Sequence, residues 1–200
     1  MSPYAAARAA LPVLDGTAHP LPRARWTRRA GMVVLYPGAD GVVLRPGGLG
    51  DAREIHSLQD GFARRGLLLR RTLDQVCRTV KDYTVAVEDG RIVGCGSLRI
   101  YSETLAEIGG LAVAEDRHGR GIGARVVASL REEAEAIGIR TLFALTMQDG
   151  FFHRLGFRTV DVREFPEKVV RDCASCDRRS ACIEVAVACE LDRGDEGRRA

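Results

Sequence analysis

The segment Ala114-Glu-Asp-Arg-His-Gly-Arg-Gly-Ile-Gly-Ala124 follows an apolar run, Leu111-Ala-Val113, and opens directly into an amphipathic stretch. Glycines at 119, 121 and 123 leave backbone amides clear at a helix N-terminus, where orphan N–H groups and the helix dipole favour an anion such as a pyrophosphate. Side chains there would block the approach, so the chemistry indicated is that of a phosphate cradle. Spacing separates the known designs. A P-loop needs Gly-Lys-Ser/Thr, and no Lys follows. A dinucleotide fingerprint needs Gly-x-Gly-x-x-Gly in a parallel β-α-β unit, whereas these glycines alternate as Gly-x-Gly-x-Gly and the strands before them read as hairpins.

A second chemical cluster is Asp172-Cys-Ala-Ser-Cys-Asp-Arg-Arg-Ser-Ala-Cys182. A Cys-x2-Cys knuckle suits tetrahedral zinc, and Cys182 can return as a third ligand beside Cys173 and Cys176. A fourth ligand is missing: Cys189 is in phase with Ile183, Val185 and Val187 on one strand face and reads as core, which leaves only Asp172 or Asp177. The cluster is read as reduced or redox-responsive thiols ahead of zinc, and no metal site is assigned.

The elements that must position these residues can be laid out from pattern. The 200 residues, 46% hydrophobic, suffice for one α/β domain with a full core and no disulfides. Net charge is +3, with 28 Arg and only two Lys, Lys81 and Lys168. Five arginines (8, 23, 25, 28 and 29) against Asp15 place +4 in residues 1–31, so the remainder is near neutral and a nucleic-acid partner is not expected. No apolar run reaches membrane-spanning length, and six cysteines without a secretory signal point to a reducing cytoplasm. Residues 1–40 read as a flexible extension, either a transit peptide or the product of a start codon upstream of Met32, and residues 192–200 as a polar tail. Residues 41–191 form the expected domain.

Within it, Val42-Val-Leu44 starts a strand, and Asp51 with Glu54 is a candidate capping box for a helix through about Arg65. Thr72 with Gln75 repeats that signal. Asp89-Gly90 is a hairpin turn between Tyr83–Val87 and Arg91–Val93. A strand over Leu105–Val113 precedes a helical stripe of Ile122, Val126, Val127, Leu130, Ala134 and Ile137. A strand from Thr141, a short helix ending at Gly156, and strands over Phe157–Val162 and Ile183–Leu191 complete the order.

The glycine segment resembles the Arg/Gln-x-x-Gly-x-Gly/Ala motif of the GNAT superfamily of N-acetyltransferases, with His118, Gly121 and Gly123 at its defined positions and His118 departing from the usual Arg or Gln. The element order is similar too, and implies a mixed, mostly antiparallel sheet flanked by helices. Leu67-Leu-Leu-Arg-Arg-Thr-Leu-Asp-Gln75, Ala106-Glu-Ile-Gly-Gly-Leu-Ala-Val113, Leu142-Phe-Ala-Leu-Thr146, Phe151-Phe-His-Arg-Leu-Gly-Phe157 and Phe165-Pro-Glu-Lys168 look like the acetyltransferase domain of N-acetylglutamate synthases. Similar cysteines occur in short relatives of that family. The resemblance covers residues 42–191 and points to the short, stand-alone class, with no arginine feedback through an amino-acid-kinase domain.

What the resemblance implies is acetyl transfer from acetyl-CoA to the α-amine of a small amino acid, L-glutamate first, as in arginine biosynthesis. Acetyl-CoA is expected over Leu111, Ala112, Val113, His118, Gly119, Arg120, Gly121, Ile122, Gly123 and Ala124. Glu107 matches the glutamate that takes the ammonium proton, and Gly109-Gly110 beside it suggests a bulge or close ligand approach. Thr146 matches the hydroxyl residue that meets the departing thiolate. Two carboxylates on the substrate call for guanidinium forks; Arg70-Arg71 matches a pair serving the side-chain carboxylate, and Arg178-Arg179 a pair serving the α-carboxylate. Another amino acid, a polyamine or a protein amine remains an open acceptor, a non-catalytic acyl-CoA or amino-acid sensor an open alternative, and a homodimer an open state.

Overall fold

The computed structural model describes residues 36–37, 41–176 and 181–191. Among the described residues eight strands form one sheet: β1 Tyr36–Pro37, β2 Val43–Pro46, β3 Tyr83–Glu88, β4 Arg91–Ile100, β5 Leu105–Val113, β6 Thr141–Thr146, β7 Arg158–Val160 and β8 Val185–Glu190. Their spatial order is β1-β2-β3-β4-β5-β6-β8-β7. All pairs are antiparallel except β5 with β6. Among the described residues five α-helices flank the sheet: α1 Ala52–Ala63, α2 Leu73–Arg78, α3 Ile122–Ala136, α4 Asp149–His153 and α5 Pro166–Arg171. This is the mixed, mostly antiparallel α/β architecture expected from the sequence.

The local signals that carry it are specific. Asp89 and Gly90 both hold positive φ, 50° and 77°, as a two-residue I′ turn between β3 and β4 requires. Thr72 and Gln75 form a reciprocal capping box at α2, with Thr72 N donating to Gln75 Oε1 at 2.8 Å and Gln75 N to Thr72 Oγ1 at 3.2 Å. The box expected of Asp51 and Glu54 is not formed. Asp51 instead accepts Arg45 on both oxygens, at 2.6 and 2.7 Å, and Gly48 N at 2.8 Å, while Glu54 accepts Ile92 N at 2.7 Å. Charge-assisted bonds from a guanidinium fork outweigh a local cap, so Asp51 locks β2 to the entry of α1 and Glu54 ties α1 to β4.

Helix α3 lies on the sheet through Ile122, Val126, Val127, Leu130 and Ala134. Gly94 and Gly96 of β4 permit that approach, since a Cβ at these positions would sit 2.9 Å from Ile122 and Val126. Ile137, expected on the same stripe, falls just past the helix end and is exposed. Cys189 is buried in β8 among the core side chains.

Two irregularities in β5 create the space used below. The β4–β5 register slips by one residue between Cys95/Ala112 and Ser97/Gly109, a bulge centred on Gly110, whose φ is +59°. Here a side chain is excluded twice, because its Cβ would also collide with Gln59 Nε2. Then the parallel β5–β6 ladder ends at Glu107↔Phe143, although β5 continues to Val113 and β6 to Thr146. Beyond Glu107 the two strands diverge.

Candidate active site

Gly121 caps α3 with φ 72°, and Gly119 holds φ 77°. A Cβ at either position would meet nothing within 4 Å, so both face open space and owe their glycine to backbone conformation. The first ladder bond of the helix runs from Arg125 N to Gly121 O at 3.1 Å. The amides of Ile122, Gly123 and Ala124 therefore precede the ladder and point out of the N-terminus, the arrangement that receives an anion. Side chains fasten this loop from behind: His118 Nε2 lies 2.8 Å from Val113 O, its ring stacks on Phe62, and Arg117 and Arg120 both pair with Glu88. His118 thus acts as a strut in the place where the resemblance expects Arg or Gln.

A slot of about 120 Å³ opens between the diverging strands beside this loop. Leu111, Ala112, Val113, His118 and Gly123 line it, faced by Thr146 from β6 and Phe151 from α4. Gly119, Arg120, Gly121, Ile122 and Ala124 belong to the adjoining loop and first turn, with the Ile122 side chain buried beneath. Thr146 Oγ1 accepts Gln148 N at 2.9 Å, which leaves its hydroxyl proton to be directed at the slot.

On the other side of the bulge is a larger cavity of about 390 Å³, sharing Leu68, Gly110, Leu145 and Glu184 with the slot. Arg71, Arg99, Glu107, Lys168 and Asp172 line it. Glu107 is 4% exposed, and Lys168 Nζ reaches its two oxygens at 2.9 and 3.0 Å. Tyr101 Oη donates to Glu107 Oε2 at 2.9 Å, and Arg99 stands 3.5 Å from the same oxygen. Lys168 also pairs with Asp172 Oδ2 at 2.9 Å, and Tyr101 hydrogen-bonds that oxygen as well. Burial pushes the Tyr101 hydroxyl well above the ordinary phenol range, reinforced by both carboxylates. Burial raises Asp172, but bonds from Tyr101 and Lys168 outweigh it and hold the carboxyl below its ordinary value. Burial and the neighbouring Arg99 lower Arg71 from the ordinary guanidinium value.

Of the arginine pair expected at the substrate, Arg71 lines the cavity while Arg70 is exposed and turns to Asp60 at 3.3 Å. Arg178 and Arg179 lie outside the described residues. Cys173, Cys176 and Cys182 share one wall of the cavity. Among the described residues no group of three His, Cys, Asp or Glu is arranged to hold a metal ion, and burial pushes the Cys173 thiol upward.

Sequence reasoning missed Arg99, Tyr101, Lys168 and Asp172 as parts of one site. Arg99 is the ladder partner of Glu107, and Tyr101 follows two residues on, just past the end of β4. That relation needs the strand register, which the bulge shifts. Lys168 left two traces: it is one of two lysines in a chain with 28 arginines, and it ends the Phe165-Pro-Glu-Lys168 stretch that carried part of the resemblance. Its helix, α5, is only six residues long and was not expected.

Diverging parallel strands, a glycine-capped helix facing the opening and a charged cavity alongside suit acyl transfer from a phosphate-bearing donor. The sequence matches the acetyltransferase (GNAT) family over residues 51–157, and the chain belongs to that family. An uncharacterized N-acetyltransferase of Chlorobaculum tepidum is 37% identical over 155 residues, covering 76% of this chain and 97% of that protein. An amino-acid acetyltransferase of Neisseria meningitidis is 32% identical over 141 residues, covering 70% of this chain and 32% of the relative. The structure of N-acetylglutamate synthase from Neisseria gonorrhoeae complexed with coenzyme A and N-acetyl-glutamate superposes with a TM-score of 0.70 at 28% identity, covering 76% of this chain and 35% of that one. The chain spans about a third of the length of the two Neisseria proteins. Coenzyme A in that neighbour agrees with acetyl-CoA as the co-substrate here.

Proposed function

We propose that this protein acetylates the α-amine of L-glutamate, making N-acetylglutamate for arginine biosynthesis in the cytoplasm, with residues 41–191 carrying the whole reaction. The supporting observation is the placement of Arg71, Arg99 and Glu107 on one cavity that shares a wall with the slot at the glycine-capped helix. An acceptor entering that cavity meets two guanidinium groups suited to carboxylates and one carboxylate suited to an amine.

In this reading the pyrophosphate of acetyl-CoA rests on the amides of residues 119–124, and the thioester reaches Gly110 and Thr146 along the slot. The substrate ammonium ion loses a proton to Glu107, and the free amine attacks the thioester carbonyl. Positioned proton transfer of this kind is worth roughly 10²–10⁴ in rate. The Thr146 hydroxyl hydrogen-bonds the departing thiolate, Arg71 holds the side-chain carboxylate, and Arg178 and Arg179 hold the α-carboxylate. The reading is tested by thiol release from acetyl-CoA across a panel of amino acids. L-Glutamate should react faster than every neutral amino acid, and equal rates for leucine and glutamate would remove the assignment.

A further inference from the structure

The oxygens of Glu107, Tyr101 and Asp172 form a continuous array: Glu107 Oε2 to Tyr101 Oη at 2.9 Å, then Tyr101 Oη to Asp172 Oδ2. A phenol carries one proton and can donate to only one of two carboxylates. The other contact is a hydrogen bond only when its carboxyl group is itself protonated, so the array has a place for one additional proton. Its inner end, Glu107, is 4% exposed and lines the cavity. Its outer end, the Asp172 side chain, is 34% exposed.

Acetylation of an ammonium ion by a thioester gives an amide, a thiol and one released proton. A carboxylate buried as deeply as Glu107 must hand that proton on before the next turnover. We propose that Tyr101 and Asp172 are a proton-exit relay for Glu107. This rests on the acetyltransferase reading of the cavity and extends it to residues that act through Glu107. The N–H bond of the substrate breaks as Glu107 Oε2 gains the proton. That proton passes to Tyr101 Oη while the original hydroxyl proton moves to Asp172 Oδ2, and Asp172 releases it to water. The phenol ends neutral and no other reactant is consumed. Because burial and both carboxylates oppose phenolate formation, the two transfers at Tyr101 occur together.

The surroundings suit transit. Lys168 Nζ contacts Glu107 and Asp172, holding the two acids together, and Arg171 stacks on the Tyr101 ring at 3.9 Å. Arg99 from β4 and Arg71 from the α1–α2 connection face the inner end. Phe143, 5.5 Å from the Tyr101 ring, fixes the ring plane whether or not the hydroxyl is present.

The test compares wild type with Tyr101→Phe, Asp172→Asn and the double variant, using the most reactive amine of the panel. A relay predicts kcat lowered about 10- to 100-fold in each single variant, within the range known for proton-transfer groups. The KM for acetyl-CoA should be unchanged, and the double variant no slower than the singles, since a broken chain cannot be broken twice. Millimolar imidazole should restore much of the rate by carrying the proton instead. A merely structural hydroxyl gives the opposite result: a raised KM for the acceptor, additive losses and no rescue by imidazole. A readout independent of turnover is the infrared difference in the carboxyl region between Tyr101→Phe and wild type on acidifying the resting protein, in which the carboxyls common to both cancel. A shared proton predicts a difference band; a flat difference would overturn the relay even if no amino acid were acetylated. A difference band with no amino-acid turnover would instead keep the array and defeat the acceptor assignment.

Discussion

Replacing Lys168 by Met should destabilise the protein by about 3 kcal/mol, the lower end of the range for removing one partner of a buried ion pair. The structure sets that choice. Both Lys168 and Glu107 have side chains 5% exposed, and Nζ lies within 3.0 Å of both Glu107 oxygens, so its loss strips the carboxylate of its nearest cation. Tyr101 and the more distant Arg99 remain as donors, which keeps the penalty from reaching the upper end. For a domain of this size, 1 kcal/mol corresponds to roughly 2–4 °C, so the expected fall in Tm is about 6–12 °C by calorimetry. Adding Glu107→Gln should recover part of the loss, because it removes the carboxylate that has lost its nearest cation. A loss under about 1 kcal/mol, too little for an unpaired buried charge, would refute the placement of this pair in the interior, as would a double variant no more stable than the single.

Gly121→Val should weaken coenzyme A binding more than it lowers stability, because φ is 72° and a β-branched residue must leave that conformation to fit, rotating the amides that receive the pyrophosphate; equilibrium titration with CoA checks it. Arg71→Ala should raise the KM for glutamate and leave CoA affinity nearly intact, whereas equal loss of CoA in both variants would erase the division between slot and cavity. Cys95 and Cys189 should resist thiol reagents at neutral pH in the native protein, since burial pushes their thiols up to about 12 and about 11. The unfolded chain gives up these thiol protons first, so their contribution to stability is complete below about pH 9 and declines as pH rises beyond it.

What could be read in the chain before folding was what is local. The Asp89-Gly90 turn, the Thr72 capping box and the core stripe of α3 each depend on residues within a few positions of one another, and each formed as patterned except that the stripe stops at Ala134, one turn short of Ile137. The glycine loop was legible for the same reason, since positive φ and a helix N-terminus are properties of one short segment. Glu107 was singled out by resemblance and the bulge near it by the Gly109-Gly110 pair, but its hydrogen-bond and ion-pair partners were not. Arg99 meets it through strand register, Lys168 through a six-residue helix 61 positions away, and Asp172 through one further turn of that helix. Asp51 and Glu54 show the converse: adjacent residues with the right spacing were drawn off by Arg45 and Ile92 N, partners no local rule contains.

The central claim, that the guanidinium groups on this cavity select a dicarboxylate acceptor, is tested most directly by kcat/KM for L-glutamate against L-glutamine, which has the same shape and no side-chain charge. A hydrogen bond to a charged group is worth about 1.5–3 kcal/mol, so glutamate should be preferred by about 10- to 100-fold, and Arg71→Ala should remove most of that preference. Equal kcat/KM for the two amino acids in the wild-type protein would contradict the claim.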